Sequence, residues 1–386
     1  MSAPHAPPDE RPRVRDNGIS IGALPHGRFN AITDVPGVLV GHTTVWFGEG
    51  ALVPGQGPAR TGVTLILPHG GNLFEERVPA AFYQFNGFGK SVGIEQVEEL
   101  GVLETPIALT STLSVGRVAD ALISHAIAEN PQIGISLPTV NPFVAECNDG
   151  FLNDIQGRHV GHAEVDAAIA SASSGPVEEG TIGAGTGMSM FGFKGGVGTA
   201  SRRVSEAVGG WTVGTLVLAN FGQSRALVID GVPIGQFLSA REWTEPDKGS
   251  IVIVIATDAP MLDRQLKRLA RRAVLGLART GSMGGNGSGD VVLAFSTAAQ
   301  VRSLLSPKGW VTSVEVVAES GPGASSDAID ALFQATVEST EEAILNALFG
   351  ATTVAGRDGN RRDALPLDLV LPLLRAHNRL HTIEYR

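Results

Sequence analysis

The chain has 386 residues, 43% hydrophobic and 18% charged, with a formal net charge of −10. That length holds one large domain or about two to three average ones, and the acidic balance excludes the broad basic surfaces that nucleic acids and anionic membranes require. Its 49 glycines far exceed the usual share of roughly 7%, and because apolar runs persist throughout they imply tight turns and close backbone approaches rather than disorder.

Residues 1–17, rich in proline and charge, read as a flexible N-terminal arm, and 18–386 as a single domain. The first 18 residues lack the apolar stretch of a secretory signal, and no run approaches the length of a membrane span. Cytoplasm is the expected location. Strand-like runs cover 37–45, 62–67 and 106–109, and a helix with apolar positions Val118, Ala121, Leu122, Ala126 and Ile127 is predicted over 115–129, ended by Asn130-Pro131. Cys147 is the sole cysteine, so no disulfide forms within the chain. A small buried filler is the more natural reading than a nucleophile.

Short apolar runs at 212–218, 226–229 and 251–256 follow a surface loop at 171–180. Asp258 and Pro260 then suit the start of a helix whose apolar stripe is Leu262, Leu266, Leu269, Ala273, Val274 and Leu277, closed by Gly281. Its basic face, Arg264, Lys267, Arg268, Arg271 and Arg272, reads as solvated. A strand at 291–295 and a last long helix at 326–348 complete a pattern of interleaved strands and helices. It predicts one α/β domain of stacked sheets covered by helices.

Several motifs fail their context tests. His159 and His162 lie three apart in a glycine-containing segment with no acidic partner to complete a metal site, so no metal is expected. The glycine-dense stretch 284–290 leads into a strand and lacks a Gly-Lys-Ser/Thr ending, and 183–187 fails likewise, so neither is a nucleotide loop. No Gly-x-Ser-x-Gly elbow is followed by acid and histidine in hydrolase order.

One junction remains. Gly249-Ser250 stands at the head of the strand-like run 251–256, behind the turn-forming stretch 245–248. Attack of Ser250 Oγ on the Gly249 carbonyl gives an ester that water opens. Ser250 is then left with a hydroxyl and a free α-amine, nucleophile and candidate base in one residue. Glycine reaches strained conformations at little steric cost, which suits a bond presented to its neighbour. The bland alternative is a turn before a strand. Ser288 and Asp290, two apart before a strand, project to the same side of an extended backbone, so Asp290 can orient Ser288 and Ser288 can relay a proton to Ser250. Asn220 closes the run 213–219 and is placed to donate to an oxyanion. The segment 146–154 clusters carboxylates and amides that bind an ammonium group or build a turn.

Taken together, the motifs Phe29-Asn30-Ala31-Ile32-Thr33-Asp34-Val35-Pro36-Gly37-Val38, Glu146-Cys147-Asn148-Asp149-Gly150, Gly183-Ala184-Gly185-Thr186-Gly187, Asn220-Phe221-Gly222, Gly249-Ser250 and Gly287-Ser288-Gly289-Asp290 make the chain resemble the self-processing serine aminopeptidases, which include the L-aminopeptidase/D-amidase-esterases and the β-peptidyl aminopeptidases. The resemblance runs over nearly the whole length. It implies an αββα sandwich like that of N-terminal-nucleophile hydrolases, with ornithine-acetyltransferase-like connectivity. It also implies a precursor cut at Gly249-Ser250 into α (1–249) and β (250–386) chains that stay together, assembled as a homo-oligomer of about four heterodimers. By position, Ser250 is the nucleophile, Asn220 an oxyanion donor that Asn148 joins, Ser288 and Asp290 the proton-transfer pair, and Glu146 the holder of the substrate's free amine. Members of that family often carry glutamate where this chain has Asp290.

The expected activity is removal of N-terminal residues from short peptides, amides or esters through an acyl-enzyme, without metal or organic cofactor. The rival reading is an acyltransferase of the ornithine acetyltransferase type, which uses threonine as nucleophile, so Ser250 counts against it. A non-catalytic scaffold that never cleaves is the other.

Overall fold

A computed structural model describes residues 11–238, 249–305, 309–319 and 327–381. The apolar runs become the strands β1 (Leu39–Phe47), β2 (Ala59–Leu67), β3 (Glu76–Gln84), β4 (Ile107–Ser111), β5 (Phe143–Cys147), β6 (Gly196–Arg203), β7 (Thr212–Asn220), β8 (Ser250–Thr257) and β9 (Gly289–Ser296). The principal helices are α1 (Val115–Glu129), α2 (His162–Ser171), α3 (Asp263–Arg279) and α4 (Asp327–Phe349). One sheet has the order β1-β2-β4-β5; the larger has β3-β9-β8-β7-β6 as its centre. Within it β8 runs parallel to β9 and antiparallel to β7.

Side-chain alternation explains the layering. Along β8, Ile251, Ile253 and Ile255 face α3 and α4, where they join Leu266, Leu269, Ile344 and Leu345. Val252, Val254 and Ala256 point the other way, onto Leu109, Phe143, Ala145 and Cys147 of the smaller sheet. A strand buried on both faces reads as an unbroken apolar run, which is why 251–256 shows no polar alternation. The smaller sheet's outer face (Val63, Leu65, Ala108, Val144) packs on α1 and α2 through Val118, Leu122, Val165 and Ala168. Helices, sheet, sheet, helices: four layers result, each fully buried Val, Ile or Leu contributing roughly 1.5–3 kcal/mol.

Three expectations are revised. Residues 1–10 of the expected arm lie outside the described residues, but 11–17 are docked rather than flexible. Val14 is fully buried, and Arg15 pairs with Glu342 of α4 at 2.7 Å, while Arg13 pairs with Glu179 at 2.6 Å. Helix α3 starts at Asp263, not at Asp258, because the Asp258 carboxylate instead accepts from the Thr212 N–H at 2.7 Å. The run 226–229 forms a bridge to Val232 behind a short 3-10 turn, not a full strand. The basic face of α3 is largely paired: Arg264 and Arg268 share Glu319, and Lys267 meets Glu98. No helix among the described residues is long and apolar enough to cross a membrane.

Candidate active site

The central strands of the larger sheet bring the backbones of Asn220, Ser250 and the 288–290 segment side by side. Asn220, the last residue of β7, pairs with Ser250, the first of β8. Ser250 in turn pairs with Gly289, the first of β9. The end of one strand and the starts of two others thus meet along one edge of the sheet. Ser250, Ser288 and Asp290 are all buried there.

Each partner is oriented. Ser288 Oγ donates to Asp290 Oδ1 at 2.6 Å, the same-side geometry expected of residues two apart. The Asn220 amide is clamped at both ends, Oδ1 accepting from Ser189 N–H at 2.8 Å and Nδ2 donating to the Asn148 carbonyl at 3.0 Å. An amide carries two N–H donors, and that clamp fixes where the second points. Gly249 precedes Ser250 in a cramped place: a Cβ there would fall 2.3 Å from the Asn220 carbonyl oxygen and 2.4 Å from Phe221 Cα. Its carbonyl accepts from the Gly289 N–H at 3.4 Å.

The end of β5 in the smaller sheet carries the next predicted residues. Glu146 on β5 is buried; Thr112 Oγ1 donates to its Oε2 and the Lys90 N–H to its Oε1 at 3.0 Å. The neighbouring Cys147 crosses between the sheets, its thiol donating to the Leu218 carbonyl of β7 at 3.5 Å. Burial pushes that thiol well above its ordinary range, the carboxylate of Glu146 and, more weakly, that of Asp290 add to the rise, and a hydrogen bond from the Ser250 side chain opposes it. Cys147 is therefore a protonated, buried thiol packed between the sheets beside Ser250, in keeping with the filler reading.

Of the polar cluster 146–154, Glu146 stands next to Cys147, whose thiol meets the Ser250 side chain, and Asn148 reaches Asn220. The Asn148 side chain closes a turn by accepting from Gly150 N–H at 2.9 Å; its main chain, not its amide, reaches Asn220. Asp149, pushed up to about 6 by burial, accepts from Ser111 and Asn153. Asp154 accepts from the N–H groups of Gly55 and Gly57 and meets His159 at 3.0 Å. These groups brace the loop ahead of β2.

His159 and His162 go to separate carboxylates, Asp154 and Asp120, and among the described residues no group of three or more His, Cys, Asp or Glu could hold a metal. The 183–187 stretch is a buried 3-10 turn, its Gly185 carbonyl accepting from the buried Lys194 ammonium at 2.8 Å. Sequence reasoning passed over Asn86, Thr112, Ser189 and Lys194. Only Asn86 carried a local signal, the turn-forming pair Asn86-Gly87.

Such an arrangement supports acyl transfer: a hydroxyl at a strand mouth, a hydroxyl–carboxylate pair one register step away, an oriented amide, and a buried carboxylate suited to an ammonium. The family model described as peptidase family S58 matches residues 30–362. The chain is 43% identical to the β-peptidyl aminopeptidase BapA of Sphingosinicella microcystinivorans, covering 96% of this chain and 94% of that one. It is similar to the solved PH0078 protein from Pyrococcus horikoshii OT3 (48% identity, 95% of this chain and 100% of that chain, TM-score 0.88). It is also similar to the L-aminopeptidase D-Ala-esterase/amidase from Ochrobactrum anthropi (40% identity, 96% and 100% coverage, TM-score 0.86), described as a prototype serine aminopeptidase and a variant of the Ntn hydrolase fold.

Proposed function

The chain belongs to peptidase family S58 and is an aminopeptidase, and from that premise we propose that it cuts its own Gly249–Ser250 bond and then works through the serine so freed. Ser250 Oγ adds to the Gly249 carbonyl carbon, the C–N bond breaks as the C–O ester forms, and water hydrolyses the ester. Gly249 leaves as a carboxylate and Ser250 keeps a free amine, giving chains of 249 and 137 residues. The register Asn220–Ser250–Gly289 carries this reading: Asn220 and Ser250 are cross-strand partners, and the hydrogen-bonded Ser288 and Asp290 flank Gly289 on the next strand.

In turnover, Ser250 Oγ attacks the acyl carbon of the substrate's N-terminal residue, its proton passing to its own amine or through Ser288 toward Asp290. The Asn220 amide stabilises the oxyanion, the amine departs with a proton, and water resolves the acyl-enzyme by the same groups in reverse. Glu146 binds the substrate's ammonium, which selects a free N-terminus. The polar partners of Glu146, Thr112 and the Lys90 N–H, hold its carboxylate for that contact. Substrates are short peptides, amides or esters, and the name of the 43% identical relative extends them to N-terminal β-amino residues. The chemistry is complete with these side chains and water, without a cofactor. The α and β chains stay associated, four heterodimers assemble, and the enzyme works in the cytoplasm on an ornithine-acetyltransferase-like connectivity. The acyltransferase reading finds no support in the relatives, which are aminopeptidases.

Intact mass under denaturing conditions tests the cut. The native sequence should give the two fragments, and Ser250→Ala one full-length species; a single chain from both would refute the proposal.

A further inference from the structure

The Asp290 carboxylate has a second partner, on a segment that carries no family motif. Ser288 Oγ donates to Oδ1 at 2.6 Å, and Asn86 Nδ2 donates to Oδ2 at 2.8 Å. With donors on both oxygens, the carboxylate cannot swing about its last torsion without breaking a charge-assisted hydrogen bond, the stronger kind. Asn86 is itself fixed by a reciprocal backbone pair: its N–H donates to the Asp290 carbonyl and the Asp290 N–H to its own carbonyl, each at 3.1 Å. Those backbone bonds do not depend on the side chain at 86.

The turn that carries Asn86 lies directly on the site. Phe88 N–H donates to the Ser288 carbonyl at 3.2 Å, and a Cβ at Gly289 would sit 2.8 Å from the Phe88 carbonyl oxygen. Two residues on, Lys90 N–H donates to Glu146. One short stretch therefore touches Ser288, Asp290 and Glu146. An aspartate is one methylene shorter than a glutamate, so from a backbone pinned in β9 its carboxylate has little latitude in reaching Ser288. An amide seated on its far oxygen holds it there.

We propose that Asn86 is a positioning residue for the Ser288–Asp290 pair, fixing the Asp290 carboxylate in the pose that accepts the Ser288 proton. The proposal rests on the reading of that pair as the proton-transfer machinery of Ser250. A turn residue of purely structural value would affect folding; a positioning residue affects the chemical step and its pH dependence. Removing a donor from an ionised carboxylate favours its protonated form.

The test uses full-length Asn86→Ala, Asn86→Ser and Asn86→Asp with β-alanine p-nitroanilide as probe and Ser250→Ala as control. Asn86→Ala should lower kcat about tenfold or more, the effect of one hydrogen bond to a charged group, with KM within about twofold. The acidic limb of its kcat–pH profile should move to higher pH. Asn86→Ser, a shorter donor, should fall between Ala and the native enzyme, and Asn86→Asp, which sets a like charge against Asp290, should be the most impaired. Slowed self-cleavage in the same order counts for the proposal, because the same pair would serve both reactions. If Asn86→Ala does not fold, the Ser variant, read by the same criteria, decides. Native kcat and an unmoved acidic limb, or a loss confined to KM or melting temperature, would overturn it. Ser250→Ala retaining turnover would instead overturn the underlying site reading, whatever the Asn86 variants do.

Discussion

Adding one carbon at Gly249 should separate self-cleavage from catalysis. An alanine Cβ there would fall 2.3 Å from the Asn220 carbonyl oxygen and 2.4 Å from Phe221 Cα, against ordinary contact beginning at 3.4 Å. Both obstacles are backbone of the β7 end, which is held by its pairing to β8, so the junction itself must shift by about 1 Å. Misplacement of that size costs on the order of 100-fold in a reaction that depends on near-attack geometry, equivalent to about 2.7 kcal/mol in the barrier. The assay is a time course of Gly249→Ala after rapid purification at low temperature, with precursor and fragments resolved by denaturing mass spectrometry. Cleavage should slow about 100-fold. Once the bond is cut, residue 249 is no longer tied to Ser250, and kcat of the fully processed variant should return to within about threefold of native. Cleavage at the native rate would refute the steric argument. Normal cleavage with a permanently lowered kcat would show that residue 249 acts in turnover instead.

Asn220→Ala should lower kcat by about 10²–10³ with little change in KM, as loss of one oxyanion donor does; steady-state kinetics in which KM alone changes would remove Asn220 from that role. Glu146→Gln should reduce kcat/KM about 10- to 100-fold for substrates with a free amine, and equal losses on an N-acetylated ester would argue against ammonium binding. Burial pulls the Lys194 ammonium down to about 7 from 10.5. Across that window the unfolded chain holds a proton that the folded chain has released, so this group makes stability rise with pH. The urea midpoint of the native enzyme should therefore climb relative to Lys194→Met between pH 7 and 10, and parallel profiles would contradict it.

What the sequence disclosed, and what it withheld, follows from the range of the interactions. Periodicity and capping residues are local, so 115–129 and the last long helix read correctly within a residue or so of their ends. The start of α3 misread because Asp258 had two possible employments, a cap for the next turn or an acceptor for Thr212 on the neighbouring strand, and only the sheet decides between them. The N-terminal arm misread for a similar reason. Proline and charge suggest a free segment, yet Arg13 and Arg15 find Glu179 and Glu342 more than a hundred residues away. Arg202, fully buried beside Glu338 and Glu342, shows how much charge the α4 interface absorbs. No composition rule anticipates that.

The site divides along the same line. Ser288 and Asp290 are two apart, and their hydrogen bond is a property of an extended strand that sequence alone implies. The meeting of Asn220, Ser250 and Gly289 required knowing that β7, β8 and β9 are neighbours in register. Of the parts that orient the amide and the carboxylates, Ser189, Asn148 and Lys90 act through backbone groups, which every residue type possesses and no motif can mark, whereas Asn86 acts through its side-chain amide. Asn148 shows the consequence most directly. The resemblance makes it a second oxyanion donor, and the contact that the structure shows to Asn220 runs through its carbonyl, so substitutions at 148 that keep the backbone path should leave Asn220 clamped. Asn148→Ala should then retain kcat within about threefold while Asn220→Ala does not, and an equal loss in both would return the Asn148 amide to the oxyanion site.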